Sequence, residues 1–236
     1  MSRIRRLGAF LGRWTLRLGL ASTIAALVGV AVGAVAYKRH VIDEPGEHIS
    51  EEYIMSVIAR ESPVLHRDGQ TPIGVFFAQE HRQYVPYSEL PREWVQAIIA
   101  AEDKRFFTHL GIDPEGIARA MRQNIKAGRV VSGGSTLTQQ TTKNIYYRPD
   151  RSLRSKWEEM VNALRLERHH SKEKILELYA NQFHVSANGR GLGIAARYFF
   201  NKDVAELDLL ESAFLAGMVK GPANYDPFIA RSEERR

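Results

Sequence analysis

Residues 94–128 read WVQAIIAAEDKRFFTHLGIDPEGIARAMRQNIKAG, and this stretch decides the fold class. Trp94, Ile98 and Ala101 recur at helical spacing and fall on one face. Asp113-Pro114-Glu115 is a helix start: a capping side chain, a proline whose φ already suits the first turn, and an early acid that complements the helix dipole. The helix so begun runs through Ile117, Met121 and Ile125 to a stop at Gly128. The same grammar continues toward the C-terminus. Leu153 to His170 repeats apolar residues at Leu153, Trp157, Val161 and Leu164, and His169-His170 reads as its end. Ser171 caps KEKILELYANQF, and a last helix from about Asp208 to Val219 ends before Gly221-Pro222. Upstream of Ser88, IGVFFAQE and QYVPY read as short strands, and Pro63, Pro72 and Pro86 interrupt any long helix. The expectation is a mainly α fold with glycine-rich loops between helices.

Ahead of these elements, LGLASTIAALVGVAVGAVAY (residues 18–37) carries no charge over 20 residues. At about 1.5 Å per helical residue it spans roughly 30 Å, the thickness of one hydrocarbon core. Arg3, Arg5, Arg6, Arg13 and Arg17 precede it. Lys38 and Arg39 follow, then Asp43, Glu44, Glu47, Glu51 and Glu52. The larger cationic count on the N-terminal side predicts a cytoplasmic N-terminus and an exported remainder. Ala34-Val35-Ala36 has the small-residue spacing of a cleavable signal, but the apolar run exceeds a usual signal core, which favours a retained anchor. Either reading exports the domain. The organisation expected is a basic cytoplasmic tail at 1–17, a transmembrane anchor at 18–37, a juxtamembrane segment at 38–84 and an exported, mostly α domain at 85–236.

A net charge of +6 and a pI of about 9.6 suit an anionic partner: nucleic acid, a phospholipid surface or a phosphorylated substrate. Export removes nucleic acid from that set. The chain has no cysteine, which excludes a disulfide framework, a thiol nucleophile and a zinc–thiolate site.

Polar clusters fall where helices end. Glu102-Asp103 closes an apolar helix, with Phe106 and His109 just after it. A carboxylate at such an edge is partly desolvated, which raises its pKa and suits it to act as a base; a solvated last turn is the plainer reading. The segment GGSTLTQQTTKN (133–144) is dense in hydroxyl and amide groups and ends near Lys143. Its glycines admit close backbone approach and the lysine supplies a point charge for phosphate. It lacks P-loop spacing, and a polar turn capping a helix at Ser135 is the competing reading. Arg148, Arg151, Arg154 and Lys156 follow, then Glu158 and Glu159. Clustered cations fit a diphosphate, while a solvated helix face laced with i,i+4 pairs is the ordinary alternative. No spacing of His, Asp and Glu makes a protein metal cage. One carboxylate at an apolar edge and a second among cations is the arrangement that drives two pKa values apart, the mark of acid–base sugar chemistry.

At these residues the sequence resembles the peptidoglycan glycosyltransferase family, shared by monofunctional transglycosylases and the N-terminal halves of class A penicillin-binding proteins. Five segments match in order: AEDKRFFTHLGID, GGSTLTQQTTKN, DRSLRSKWEEMVNALRLE, KEKILELYANQF through GLGIAARYFF, and LLESAFLAGMVKGPANYDP. The resemblance implies a lysozyme-like helical lobe with a smaller membrane-proximal jaw lobe. It implies polymerisation of glycan strands from lipid II, with inversion at MurNAc C1, a β-1,4 bond and release of undecaprenyl pyrophosphate. Glu102 falls on the family's general base and Glu159, rather than Glu158, on its second carboxylate. Asp103, Phe106, His109, Lys156 and Asn181 fall on supporting positions. Ser135, Thr136, Gln139, Gln140, Lys143 and Arg151 fall on substrate-contacting ones. A divalent cation, Mg or Mn, bound with the donor pyrophosphate is implied, as are the membrane, the growing glycan strand and other cell-wall synthesis proteins as partners.

The match has departures. Ser155 stands where the third segment usually has Arg, and Arg154, the candidate substitute, leaves the helix about 100° away. Ser186 and Asn201 stand where the fourth often has Gly. A lysozyme-type hydrolase would share the helical lobe and the glutamate, but has no use for Lys143 and Arg151. A catalytically weak, membrane-anchored lipid II-binding or cell-wall interaction protein is the reading from a different class.

Overall fold

The computed structural model describes residues 2–58, 61–65, 67, 72–77, 81–146, 150, 152–185, 189–221 and 225–227. The chain divides into two compact units, Met1–Pro45 and Gly46–Arg236.

The first unit is one long helix, α1 (Ser2–Tyr37), followed by a π-helical turn at Lys38–Asp43. From residue 17 onward its side chains are exposed, Val30 by 71% and Val35 by 68%. Apolar surface left this open is costly in water and favourable in lipid. Among the described residues it is the one helix long and apolar enough to cross a membrane.

The second unit is helical with two small sheets. A short helix α2 (Glu51–Ile58) precedes the antiparallel pair β1 (Glu61–Leu65) and β2 (Pro72–Phe77). β2 contains the expected IGVFF strand. QYVPY is not a strand: the two-residue β3 (His81–Arg82) lies just before it, and Tyr87–Glu89 forms a 3₁₀ turn. Then follow α3 (Arg92–Glu102), α4 (Pro114–Ala127), α5 (Leu137–Ile145), α6 (Leu153–His169) and α7 (Lys172–Ala180). β4 (Gly189–Arg190) pairs in parallel with β3, and α8 (Leu192–Phe200) and α9 (Leu209–Met218) close the order.

The core forms around α7, whose residues 175–180 are all buried. α3 packs along α9, and α5 lies against α6 and α7. Trp94 and Ile98 are fully enclosed, with Trp94 stacked on Phe183 at 5.9 Å. Ala101, expected on the same face, is exposed. Two other expected faces also differ. Ile117, Met121 and Ile125 on α4 are 41%, 63% and 71% exposed, and Ala120 is the residue turned inward. On α6, Leu153 and Trp157 are exposed at 90% and 65%, whereas Ser155, Glu159, Ala163 and Leu166 form the buried stripe. Spacing alone defines two faces without saying which one a neighbour covers.

Helix ends follow the local chemistry. Gly128 takes the left-handed C-cap of α4. Ser171 accepts from the Lys174 N–H, and Asp208 with Glu211 makes a capping box on α9. Asn201 holds a left-handed φ of 53° at the end of α8, a conformation asparagine tolerates in place of glycine. Ser186 lies outside the described residues.

Candidate active site

The GGST segment leads into α5, but the cap is Thr136 rather than Ser135. The Thr136 hydroxyl accepts from the Gln139 N–H at 3.1 Å, and the Gln139 carbonyl oxygen accepts from the Thr136 N–H at 3.0 Å. Thr136 also donates to the Gly111 carbonyl at 2.7 Å. Gln139 is 1% exposed. Both side chains are thus occupied in shaping the start of α5, and through it the wall of the cleft.

Asp103 performs a similar service. It is buried, and its Oδ2 accepts from His109 Nε2 at 2.8 Å and from the Leu137 N–H at 2.9 Å. The Gly111 N–H donates to His109 Nδ1 at 3.1 Å, which assigns the proton of a neutral ring to Nε2. Asp103 therefore ties the loop after α3 to the first turn of α5. Phe106, fully enclosed, packs beneath with the Lys172 ammonium 4.4 Å from its ring centroid. Lys172 also donates to the His109 carbonyl and to Glu167. Asn181 clamps another strand of chain: its amide exchanges hydrogen bonds of 2.8 Å with both backbone groups of Val85.

That scaffold leaves Glu102 half-buried at the end of α3, where Gln140 Nε2 donates to its Oε2 at 3.1 Å. The Tyr179 phenol donates in turn to Gln140 Oε1 at 3.5 Å. Burial, with the Glu102 charge added, pushes the Tyr179 phenol far above its ordinary value, so it stays a donor and keeps the amide turned toward Glu102. Tyr179 was visible only as part of an apolar helix in KEKILELYANQF.

Glu102 lines a cleft of about 370 Å³ together with Ser135, Gln139, Gln140, Lys143, Lys156 and Glu159. Glu159 is 7% exposed and bound by the Lys156 ammonium, which also donates to Ser135 Oγ at 3.1 Å. Glu158 points outward, paired with Arg154 at 3.0 Å. Arg154 is 89% exposed and does not line this cleft, so it does not stand in for the missing third-segment arginine. Ser155 instead donates to Asp150 at 2.6 Å and packs into the helix start. Lys220, from the segment after α9, completes the cleft wall. Nothing local in GMVKGP marks it, since it reaches the site only because α9 packs on α3. Three lysines then face two glutamates. Arg148 and Arg151 lie outside the described residues.

Two further concavities adjoin. One, of about 230 Å³, opens on the α4 side of Glu102 and is lined by Lys104, Asp113, Arg119, Gln123 and the 132–136 loop. The other, about 460 Å³ and mostly apolar, follows Ile117, Met121 and Ile125 to Met160.

A carboxylate at the end of one helix and a second on another, facing a single cation-lined cleft, suit acid–base chemistry at a sugar carbon with an anionic leaving group. Residues 69–236 match the transglycosylase family, and the chain belongs to it. It is similar to penicillin-binding protein 1A of Neisseria flavescens, 44% identical over 162 residues (69% of this chain, 20% of that protein). Penicillin-binding protein 1F of Bacillus subtilis is 37% identical over 193 residues (81% and 27%). Penicillin-binding protein 1A of Aquifex aeolicus is 44% identical over 149 residues (63% and 20%). The chain thus spans between 20% and 27% of the length of these relatives.

Proposed function

We propose that the chain polymerises glycan strands from lipid II at the outer face of a bacterial inner membrane, with α1 as anchor and its basic N-terminal tail in the cytoplasm. The observation that carries this reading is the shared cleft of Glu102, Glu159, Lys143, Lys156 and Lys220. Glu102 takes the proton from the acceptor 4-hydroxyl as that oxygen attacks C1 of the donor MurNAc. The bond from C1 to the diphosphate oxygen breaks on the opposite face, so the configuration inverts and polyprenyl diphosphate leaves with the bonding electron pair. Gln140 holds Glu102 aimed at the incoming hydroxyl. The lysines offset the charge that grows on the departing diphosphate, an effect strengthened in a partly desolvated cleft. Lys156 also fixes Glu159 beside that group. The apolar groove along α4 suits the polyprenyl chain.

No step of this scheme passes through a divalent cation. Among the described residues no group of three His, Cys, Asp or Glu side chains is placed to hold a metal ion, and Glu159 is bound by Lys156. A divalent cation that travels with the diphosphate would belong to the substrate, and the described residues supply no cage of their own for it.

The test is polymerisation of labelled lipid II by the detergent-purified full chain beside Glu102→Gln. Loss of the base should lower turnover about 10²–10⁴-fold with donor binding kept. Normal strands from the variant would refute the base assignment. A folded wild type that binds lipid II and makes no strands would replace the enzyme with a lipid II-binding protein.

A further inference from the structure

The cleft and the neighbouring cavity share Glu102 but differ in charge. Three lysines oppose two carboxylates in the cleft, whereas Lys104 and Arg119 oppose Glu102, Asp103 and Asp113 in the cavity. A diphosphate is favoured in the first, and an uncharged polar group in the second. At about 230 Å³ the cavity holds roughly eight waters' worth of space, the scale of one substituted pyranose ring.

Inside it, Asp113 is anomalous. It stands at the N-cap of α4, yet its side chain makes no capping bond. Asp113 is 5% exposed, and its Oδ1 is buried without a hydrogen bond. Such a group costs free energy unless it serves something else. What it faces are two guanidinium groups: Arg105 Nε lies 3.6 Å from Oδ1 and Arg119 Nη2 lies 3.7 Å from Oδ2. Arg105 is further engaged by Glu115. Arg119 lines the cavity, and its side chain is 53% exposed. Gly116 makes the arrangement possible, since a Cβ there would sit 2.6 Å from Asp113 Oδ2 and 3.4 Å from Arg119 Nη2. A carboxylate on one edge of the guanidinium leaves its other N–H groups for a ligand.

Resting on the glycosyltransferase reading above, we propose that this cavity seats the terminal aminosugar of the acceptor and that Arg119, positioned by Asp113, reads its acetamido carbonyl. A guanidinium only donates. It therefore selects a group that only accepts, and on an N-acetylglucosamine ring the acetamido carbonyl is the strongest of these. Glu102 lies in the same wall, so a ring held there presents its hydroxyl to the base while the donor diphosphate occupies the cationic cleft.

The experiment couples a lipid-linked donor blocked at its terminal 4-hydroxyl to lipid II as the varied acceptor, using the full chain in detergent. Arg119→Gln is expected to raise the acceptor KM roughly 10- to 100-fold, the loss of a charge-assisted hydrogen bond, with the donor KM unmoved. Asp113→Asn should shift the acceptor KM in the same direction, whereas a merely structural role would move both constants. With an acceptor bearing hydrogen in place of the acetamido group, wild type and Arg119→Gln should become equal. An unchanged acceptor KM, or a difference that persists with the deoxy acceptor, overturns the assignment while leaving the transferase reading intact. A wild type that couples no donor overturns both.

Discussion

Asp103→Asn separates a structural carboxylate from a catalytic one, because Asp103 adjoins Glu102 and could be mistaken for its partner in chemistry. Its Oδ2 accepts two buried hydrogen bonds, from His109 at 2.8 Å and Leu137 at 2.9 Å. An asparagine oxygen in the same place keeps both bonds but loses their charge assistance. Bonds to charged groups contribute about 1.5–3 kcal/mol and neutral ones about 0.5–1.5 kcal/mol, so the exchange costs about 2–3 kcal/mol over the pair. For a unit of this size that is a fall in Tm of roughly 4–12 °C. Asp103→Ala leaves both donors without an acceptor and should fall further. Thermal unfolding in detergent measures this, with lipid II polymerisation run well below the lowered Tm. There, turnover per folded molecule should stay within about tenfold of wild type, since losing a general base costs about 10²–10⁴-fold. A variant with wild-type Tm and turnover lost a hundredfold would refute the reasoning and give Asp103 a place in the chemistry.

A second carboxylate supports the fold's acid limit. Burial works to raise the Glu177 pKa, but Lys174, the Tyr84 hydroxyl and the Tyr87 N–H outweigh it and hold the group below the usual carboxylate range. A depressed folded pKa means stability that is present above the unfolded value, about 4.3, and is lost as pH falls through the folded one. Wild-type Tm should therefore drop steeply on acidification below about pH 4.3. Glu177→Gln should start about 1–3 kcal/mol lower at neutral pH, since Lys174 keeps Glu51 as a partner, and show a flatter acid limb; an identical pH profile would sink the idea. Gly134→Ala places a Cβ 2.9 Å from Ile117 Cα, a backbone atom that cannot rotate away. It should push the 132–136 loop off α4 and lower polymerisation with little change in Tm, and unaltered turnover would contradict the close packing.

Much of this was legible in local chemistry. Gly128, Ser171 and Asp208 mark helix ends because caps are satisfied by residues within a turn or two. The uncharged run at 18–37 announced itself by length, and Glu102, Lys143, Lys156 and Glu159 could be named from their segments through resemblance. What remained hidden depended on which surfaces meet. On α6 the apolar positions Leu153 and Trp157 are open, and the covered face carries Ser155, Glu159, Ala163 and Leu166 on the helix that packs against α5. The cap at Thr136 rather than Ser135 is an exception, a local capping box with Gln139 three residues on. Lys220 enters the cleft only through the packing of α9 on α3. The sequence by itself determined most of the helices, several of their ends and the chemical types available to the site. The tertiary structure decided which faces are covered and which distant charges share a cleft, since those depend on contacts between residues far apart in the chain that no local pattern encodes.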